Sequence, residues 1–242
     1  MRHDGISNRN RVCLGDYTDI TTERGHAMRL RFLFTGILFL AAAAAAHTPT
    51  ATDLHLRGDR FRPLTAAELT PEQKTLVDHL LSSPRGALNG PFNVLLRSPE
   101  MGDLAQNLGA YLRFHTTVPV KLNEFAILIT ARALNVQYEW SAHRKTAQKE
   151  GLKPEIIEAV ATGKRPAGMQ PDEEAVYNFT TELVNTHQVS DSAFHAAVDK
   201  FGERTVVDLI GTIGYYHFVS MILNVDRYPL PDGDKPELKP LH

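Results

Sequence analysis

Apolar residues along this chain recur at intervals of three and four, the period of helices that bury one face. Leu69-Thr70-Pro71-Glu72-Gln73 opens the first such segment. Thr70 is placed as N-cap, Pro71 at the first helical position and Gln73 as capping-box partner; Leu76, Val77, Leu80 and Leu81 follow as the buried face. Ser98-Pro99-Glu100 repeats the device, and Leu104, Leu108 and Leu112 come after it at spacings of four, which predicts a second amphipathic helix. A third helix is expected from near Lys121, carrying Ala126, Ile127, Ile129, Ala133 and Leu134. A fourth is expected from about Val136 to Glu150, stopped by Gly151 in a left-handed C-cap. Segments from Pro154, Pro171, Ser190 and Arg204 complete the set, the last reaching about Asn224. Nothing alternates with period two for long enough to make a strand, so the expected fold class is all-α.

Between the first two helices, the stretch from Ser82 to Pro99 contains Pro84, Gly86, Gly90 and Pro91. It is longer than a mere connector, so a site is expected to border it. After Pro229 the chain is rich in Pro, Asp and Gly, and residues 229–242 are expected to be an extended tail that lies across another subunit. Residues 61–228 are expected to form one domain, preceded by a flexible segment at 47–60 that holds an Arg57-Gly58-Asp59 triplet read as coincidence.

Residues 28–46 carry a different pattern. Met28-Arg29-Leu30-Arg31 precedes an apolar run from Phe32 to Leu40 and six alanines ending at Ala46. A basic start, an apolar centre and a small-residue end form a cleaved secretory signal. The 15 residues from Phe32 to Ala46 are fewer than the roughly 20 a bilayer span needs, so no stable membrane anchor is expected. Residues 1–27 are read as a non-native extension, with Met28 as the start and a periplasmic or secreted product beginning at His47.

Composition then limits the chemistry. With 26 Lys and Arg against 28 Asp and Glu, the formal charge is −2, and no basic field exists to hold nucleic acid. The one cysteine, Cys13, falls before the signal. The exported chain therefore has no thiol and neither a disulfide framework nor a thiolate metal site. His187 and His195 have no carboxylate placed as a third ligand, so no metal is expected. No phosphate loop, dinucleotide fingerprint or Gly-x-Ser-x-Gly elbow is present, and no cofactor is expected.

The informative stretch runs from Glu124 to His143. Glu139 and His143, four apart on a helix, share a face, so the carboxylate can raise the imidazole pKa. Glu124 reaches the same place if its helix pairs antiparallel with the next across the turn at Asn135. The other reading is a surface Glu/His pair at helical spacing. Trp140, the only tryptophan, is either core or pocket wall. His217, in the apolar run Gly211 to Val219, is either a satisfied core histidine or part of a pocket, and Tyr216 and Asn224 are similarly poised. Asn93 and Arg97 are candidates for holding a substrate carboxylate, Arg97 by a two-bond fork.

These residues resemble the carboxymuconolactone decarboxylase and alkylhydroperoxidase D-like superfamily. Its motif has a Glu, then Cys-x-x-Cys twelve residues later, then a His four residues on. Counted from Glu124, the cysteines fall on Val136 and Glu139, and the histidine on His143. Tyr138-Glu139-Trp140 with His143 looks like the decarboxylase branch, as do Gly90-Pro91-Phe92, Arg97 to Glu100, Gly214-Tyr215-Tyr216 and Leu223-Asn224. The resemblance covers about 85–230 and implies an oligomeric helical bundle, trimer or hexamer. It also implies a cofactor-free lyase or isomerase acting on a small carboxylate or lactone. His143 would be the proton donor and acceptor, Glu124 and Glu139 would set its charge and orientation, and Phe92, Trp140 and Tyr216 would desolvate it. Peroxidase chemistry in this superfamily needs a thiolate and a resolving thiol, which the exported chain lacks. The rival readings are an exported member that binds a ligand without turning it over and an oxidoreductase that uses an external thiol or metal.

Overall fold

The computed structural model describes residues 54–240; the signal pattern, Cys13 and the expected start at His47 lie outside the described residues. Nine α-helices and a 3-10 turn at Ala66–Glu68 make up the described fold, with no strand among the described residues. The helices are α1 (Pro71–Ser82), α2 (Phe92–Leu95), α3 (Pro99–Phe114), α4 (Val120–Ala133), α5 (Gln137–Lys149), α6 (Pro154–Ala161), α7 (Pro171–Thr186), α8 (Asp191–Phe201) and α9 (Glu203–Asp226).

The caps explain most of the boundaries. Thr70 accepts from the Gln73 backbone N–H while the Gln73 side chain accepts from Thr70. These two reciprocal bonds satisfy amides that the helix start leaves open. Ser190 caps α8 through Ala193 N, and Gly151, at φ 91°, ends α5 in the left-handed region. Ser98 departs from expectation: it stands at the N-cap of α3, yet its side chain caps nothing, so Pro at the first position carries that helix start alone.

Helix α4 is the axis of the fold. Every residue from Leu122 to Arg132 is buried, because α4 packs against α5, α7 and α9. A helix that is apolar all round belongs inside a bundle. Asn123 is satisfied there, donating to Leu112 O and accepting from Thr212 Oγ1. Two apolar clusters flank the helix. One centres on Phe125, Trp140, Ile156 and Phe179, the other on Leu76, Leu80, Phe92 and Tyr216.

One local expectation is corrected, and both ends of the described chain pack against the helices. Along α3, Leu112 is buried, but Leu104 and Leu108 are 69% and 48% exposed, because Gly102, Ala105 and Gly109 form the face that packs inward. The described residues up to Phe61 are hydrogen-bonded to α9 and α2. Asp59 N and Phe61 N donate to the buried Asp226 carboxylate, and Asn93 Nδ2 donates to Phe61 O. The tail folds back on its own chain along α5, with Leu238 in the core. Gln137 there donates to Leu238 O and accepts from the backbone N–H groups of Glu237 and Leu238.

Candidate active site

The turn at Asn135, held in the left-handed region at φ 54° and braced by Arg132 Nη1, reverses the chain between α4 and α5. The two helices consequently run side by side, and Glu124 near the start of α4 meets His143 on α5. His143 Nδ1 lies 2.7 Å from Glu124 Oε2 and is hydrogen-bonded to it. On its other side, Nε2 lies 3.1 Å from Glu139 Oε2, close enough for an ion pair but out of line for a hydrogen bond. All three side chains are buried. The imidazole is therefore held between two carboxylates away from bulk water.

Burial by itself would lower the His143 pKa, and the adjacent Glu124 and Glu139 overcome it, raising the value to about 9. At neutral pH the ring is an imidazolium with a proton to give. A buried cation of this kind costs desolvation, which carboxylates in direct contact with it offset. The Tyr216 ring meets His143 edge-on at 4.9 Å and closes one side of it. Burial raises the pKa of Tyr215 and, more strongly, of Tyr216, so both phenols remain O–H groups.

His143, Glu139, Tyr138, Tyr215 and Tyr216 line a cavity of about 270 Å³. Two further lining residues, Arg85 and Arg113, supply positive charge. Arg85 stands on a turn closed by Gly86 N to Ser83 O, with Gly86 at φ 60°. Its guanidinium lies 4.8 Å from the centre of the Phe92 ring, and its Nε has no hydrogen-bond partner among the described residues. Arg113 comes from the last turn of α3. Asn89, Gly90 and Pro91 complete the wall beside Tyr138. The enclosure thus joins an imidazole, two guanidiniums and three phenols in one small space.

Not every residue singled out in the sequence reaches this cavity. Asn93 and Arg97 serve the N-terminal segment instead: Arg97 donates to Asn93 O, Asn93 Oδ1 and Arg62 O. Phe92 is wholly buried beneath Arg85. Trp140 faces the other side of α5, where its Nε1 donates to Glu237 and its ring borders a separate cleft under the tail. His217 is half-buried and outside the lining. Asn224 is exposed and donates to Leu134 O. Arg85, Arg113, Asn89 and Thr146 line the cavity without having been named from sequence, and Tyr215, quoted there only within the resemblance, lines it too. The one available signal was the length and Gly/Pro content of the loop that bears Arg85 and Asn89.

Comparison with known proteins bears on the family and the fold. Residues 99–182 match the carboxymuconolactone decarboxylase family model. No protein of curated function matches the chain. Among solved structures, the chain is similar to a protein of unknown function from Agrobacterium tumefaciens that goes under the name antioxidant defence protein AhpD. The identity is 16% and the TM-score 0.52, over 59% of this chain and 99% of that one; such a likeness bears on the fold alone. The matched segment contains Glu124, Glu139 and His143, whereas Arg85, Tyr215 and Tyr216 lie outside it. Residues 99–182 thus match the carboxymuconolactone decarboxylase family, within an all-helical AhpD-like fold.

Proposed function

We propose that this chain is an exported, cofactor-free acid–base catalyst that decarboxylates or shifts a proton on a small enolisable carboxylic acid or its lactone. The observation that carries the proposal is His143, charged and buried between Glu124 and Glu139 at the wall of a cavity holding Arg85 and Arg113. In this reading the two guanidiniums hold a carboxylate of the substrate. As negative charge builds on a conjugated oxygen, a phenolic O–H from Tyr215 or Tyr216 stabilises it; His143 delivers its proton at carbon and, once neutral, can take one back. Glu124 fixes the ring by its bond to Nδ1 and leaves Nε2 toward Glu139 and the cavity. A positioned acid–base group of this kind supplies roughly a hundred- to ten-thousandfold in rate. Without a thiol in the exported chain, the superfamily's peroxidase cycle has no nucleophile.

The secretory pattern at 28–46 supports action outside the cytoplasm. Self-association is supported by an apolar stripe left open on α3 and α9. Deuterium incorporation from heavy water into a panel of carboxylated lactones and related acids, followed by NMR, tests the chemistry. Exchange or loss of CO2 is expected with the parent and is expected to fall at least a hundredfold in His143→Gln. Unchanged turnover in folded His143→Gln and Glu124→Gln variants would sink the proposal. Binding without turnover would make the chain a ligand carrier.

A further inference from the structure

The His143 cavity has a neighbour. A second cleft, of about 550 Å³, lies against Tyr138 and is bounded by His55, Leu56 and Arg57 of the N-terminal segment together with Tyr228 and Pro231. Asn89 and Tyr138 line both spaces, so the partition between them is one aromatic ring and one turn thick. The Tyr138 ring meets Tyr228 edge-on at 4.6 Å. Gly90, at φ 80°, brings the turn against it: a Cβ at that position would stand 3.4 Å from the Tyr138 ring. Gly90 N donates to Tyr228 Oη, which ties the turn to the second ring.

The two spaces differ in size and in chemistry. At about 270 Å³ the inner cavity falls just short of the roughly 300–1,000 Å³ of ordinary ligand pockets. It has room for a carboxylate and the reacting carbons and little else. Its charged groups are Arg85, Arg113, Glu139 and His143. The outer cleft presents the faces and edges of two tyrosines, with Leu56 and Pro231. Its guanidinium, Arg57, is engaged by Asp232 at 2.8 Å and by Leu230 O, which leaves the two rings, Leu56 and Pro231 beside the polar groups of His55 and Asn89.

We infer that the outer cleft is a second subsite, which receives a planar apolar extension of the substrate past Tyr138 while the carboxylate and reacting carbon occupy the inner cavity. The inference rests on the acid–base reading of that cavity and narrows it. The substrate is an aryl-extended acid, larger than a compact lactone acid, and Tyr138 is the residue that sets its length.

Calorimetric titration of the purified protein with benzoate and with biphenyl-4-carboxylate tests this. Biphenyl-4-carboxylate is expected to bind at least about tenfold more tightly, a modest return for burying a second ring. His55→Trp fills the outer cleft from an exposed position remote from the inner cavity, and Leu56→Trp fills it from the next residue. Both variants are expected to abolish the preference and leave benzoate affinity unchanged. Arg113→Gln is expected to weaken both acids. Equal affinity of the parent for the two acids, or a preference that survives both tryptophans, overturns the subsite and leaves the acid–base reading standing. If neither acid binds, the carboxylate site fails and the subsite with it; deuterium exchange by the parent would then show separately whether His143 catalyses.

Discussion

His143 couples the chemistry of the site to the stability of the fold. Its pKa is about 9 in the folded protein against about 6.5 for a free imidazole, so the folded state binds the proton more tightly than the unfolded chain. The stabilisation is fully present below about pH 6.5 and is lost as pH rises through about 9. Urea midpoints are therefore expected to fall between those limits in the parent and to stay flatter in His143→Gln. Turnover that uses the imidazolium as acid is expected to decline over the upper part of the same range. Gly58 is a second position where one residue decides much. A Cβ there would sit 2.3 Å from Asn93 Nδ2, 2.5 Å from Phe61 O and 2.8 Å from Asp226 Oδ2, and two of those atoms belong to wholly buried side chains. Gly58→Ala is expected to cost about 1–3 kcal/mol in urea unfolding, and the isosteric Asp226→Asn less than Asp226→Ala. The backbone around Gly58 is thus a tight clasp over the end of α9.

Helix α5 works on two faces. Tyr138, Glu139, Ala142, His143 and Thr146 look into the cavity. Gln137, Trp140, Ser141, Arg144 and Lys145 hold the tail, through Leu238 O, Glu237 and Asp234. The strap therefore fixes the rotation of the helix that aims His143. Deletion from Asp234 onward removes the buried Leu238 and these bonds. It is expected to lower Tm by at least about 4 °C and to reduce deuterium exchange without abolishing it. An unchanged Tm would show that the tail packs without contributing. A three- and four-residue apolar period announces a helix such as α3, but not which of its faces turns inward. Leu104 and Leu108 look like core by spacing, yet the glycine and alanine face is the one narrow enough to approach α1 and α9.

At the scale of the whole molecule, α3 and α9 leave apolar side chains in solvent. Met101, Leu104 and Leu108 line α3, and Val207, Ile210, Met221 and Val225 line α9. Helix α9 is long and apolar enough to cross a membrane by composition, yet 56% of its most apolar window is buried inside the fold. The remainder is a stripe at helical spacing on a helix that touches α3. Exposed apolar patches of this kind mark association surfaces, and a second copy of the chain is the proposed partner. Light scattering is expected to give a trimer or hexamer for the parent and smaller species for Leu104→Glu with Met221→Glu. A monomeric parent would end the proposal.

Local chemistry is what the sequence by itself determined. Pro, Thr and Ser at helix starts, Gly151 at a helix end and the four-residue spacing of Glu139 and His143 all act within a turn or two of chain, so helix limits and the carboxylate–imidazole pair were legible. That Glu124 meets the same ring was legible only as a condition, since it required α4 and α5 to reverse at Asn135. Arg85, Arg113 and Tyr215 come from three separate elements, and no period or spacing relates them to His143. Asn93 and Arg97 look like a carboxylate clamp in sequence, yet the folded chain gives them the Phe61 and Arg62 carbonyls. Packing decided these outcomes, because a cavity is formed by side chains that meet only after the helices have buried their apolar faces against one another.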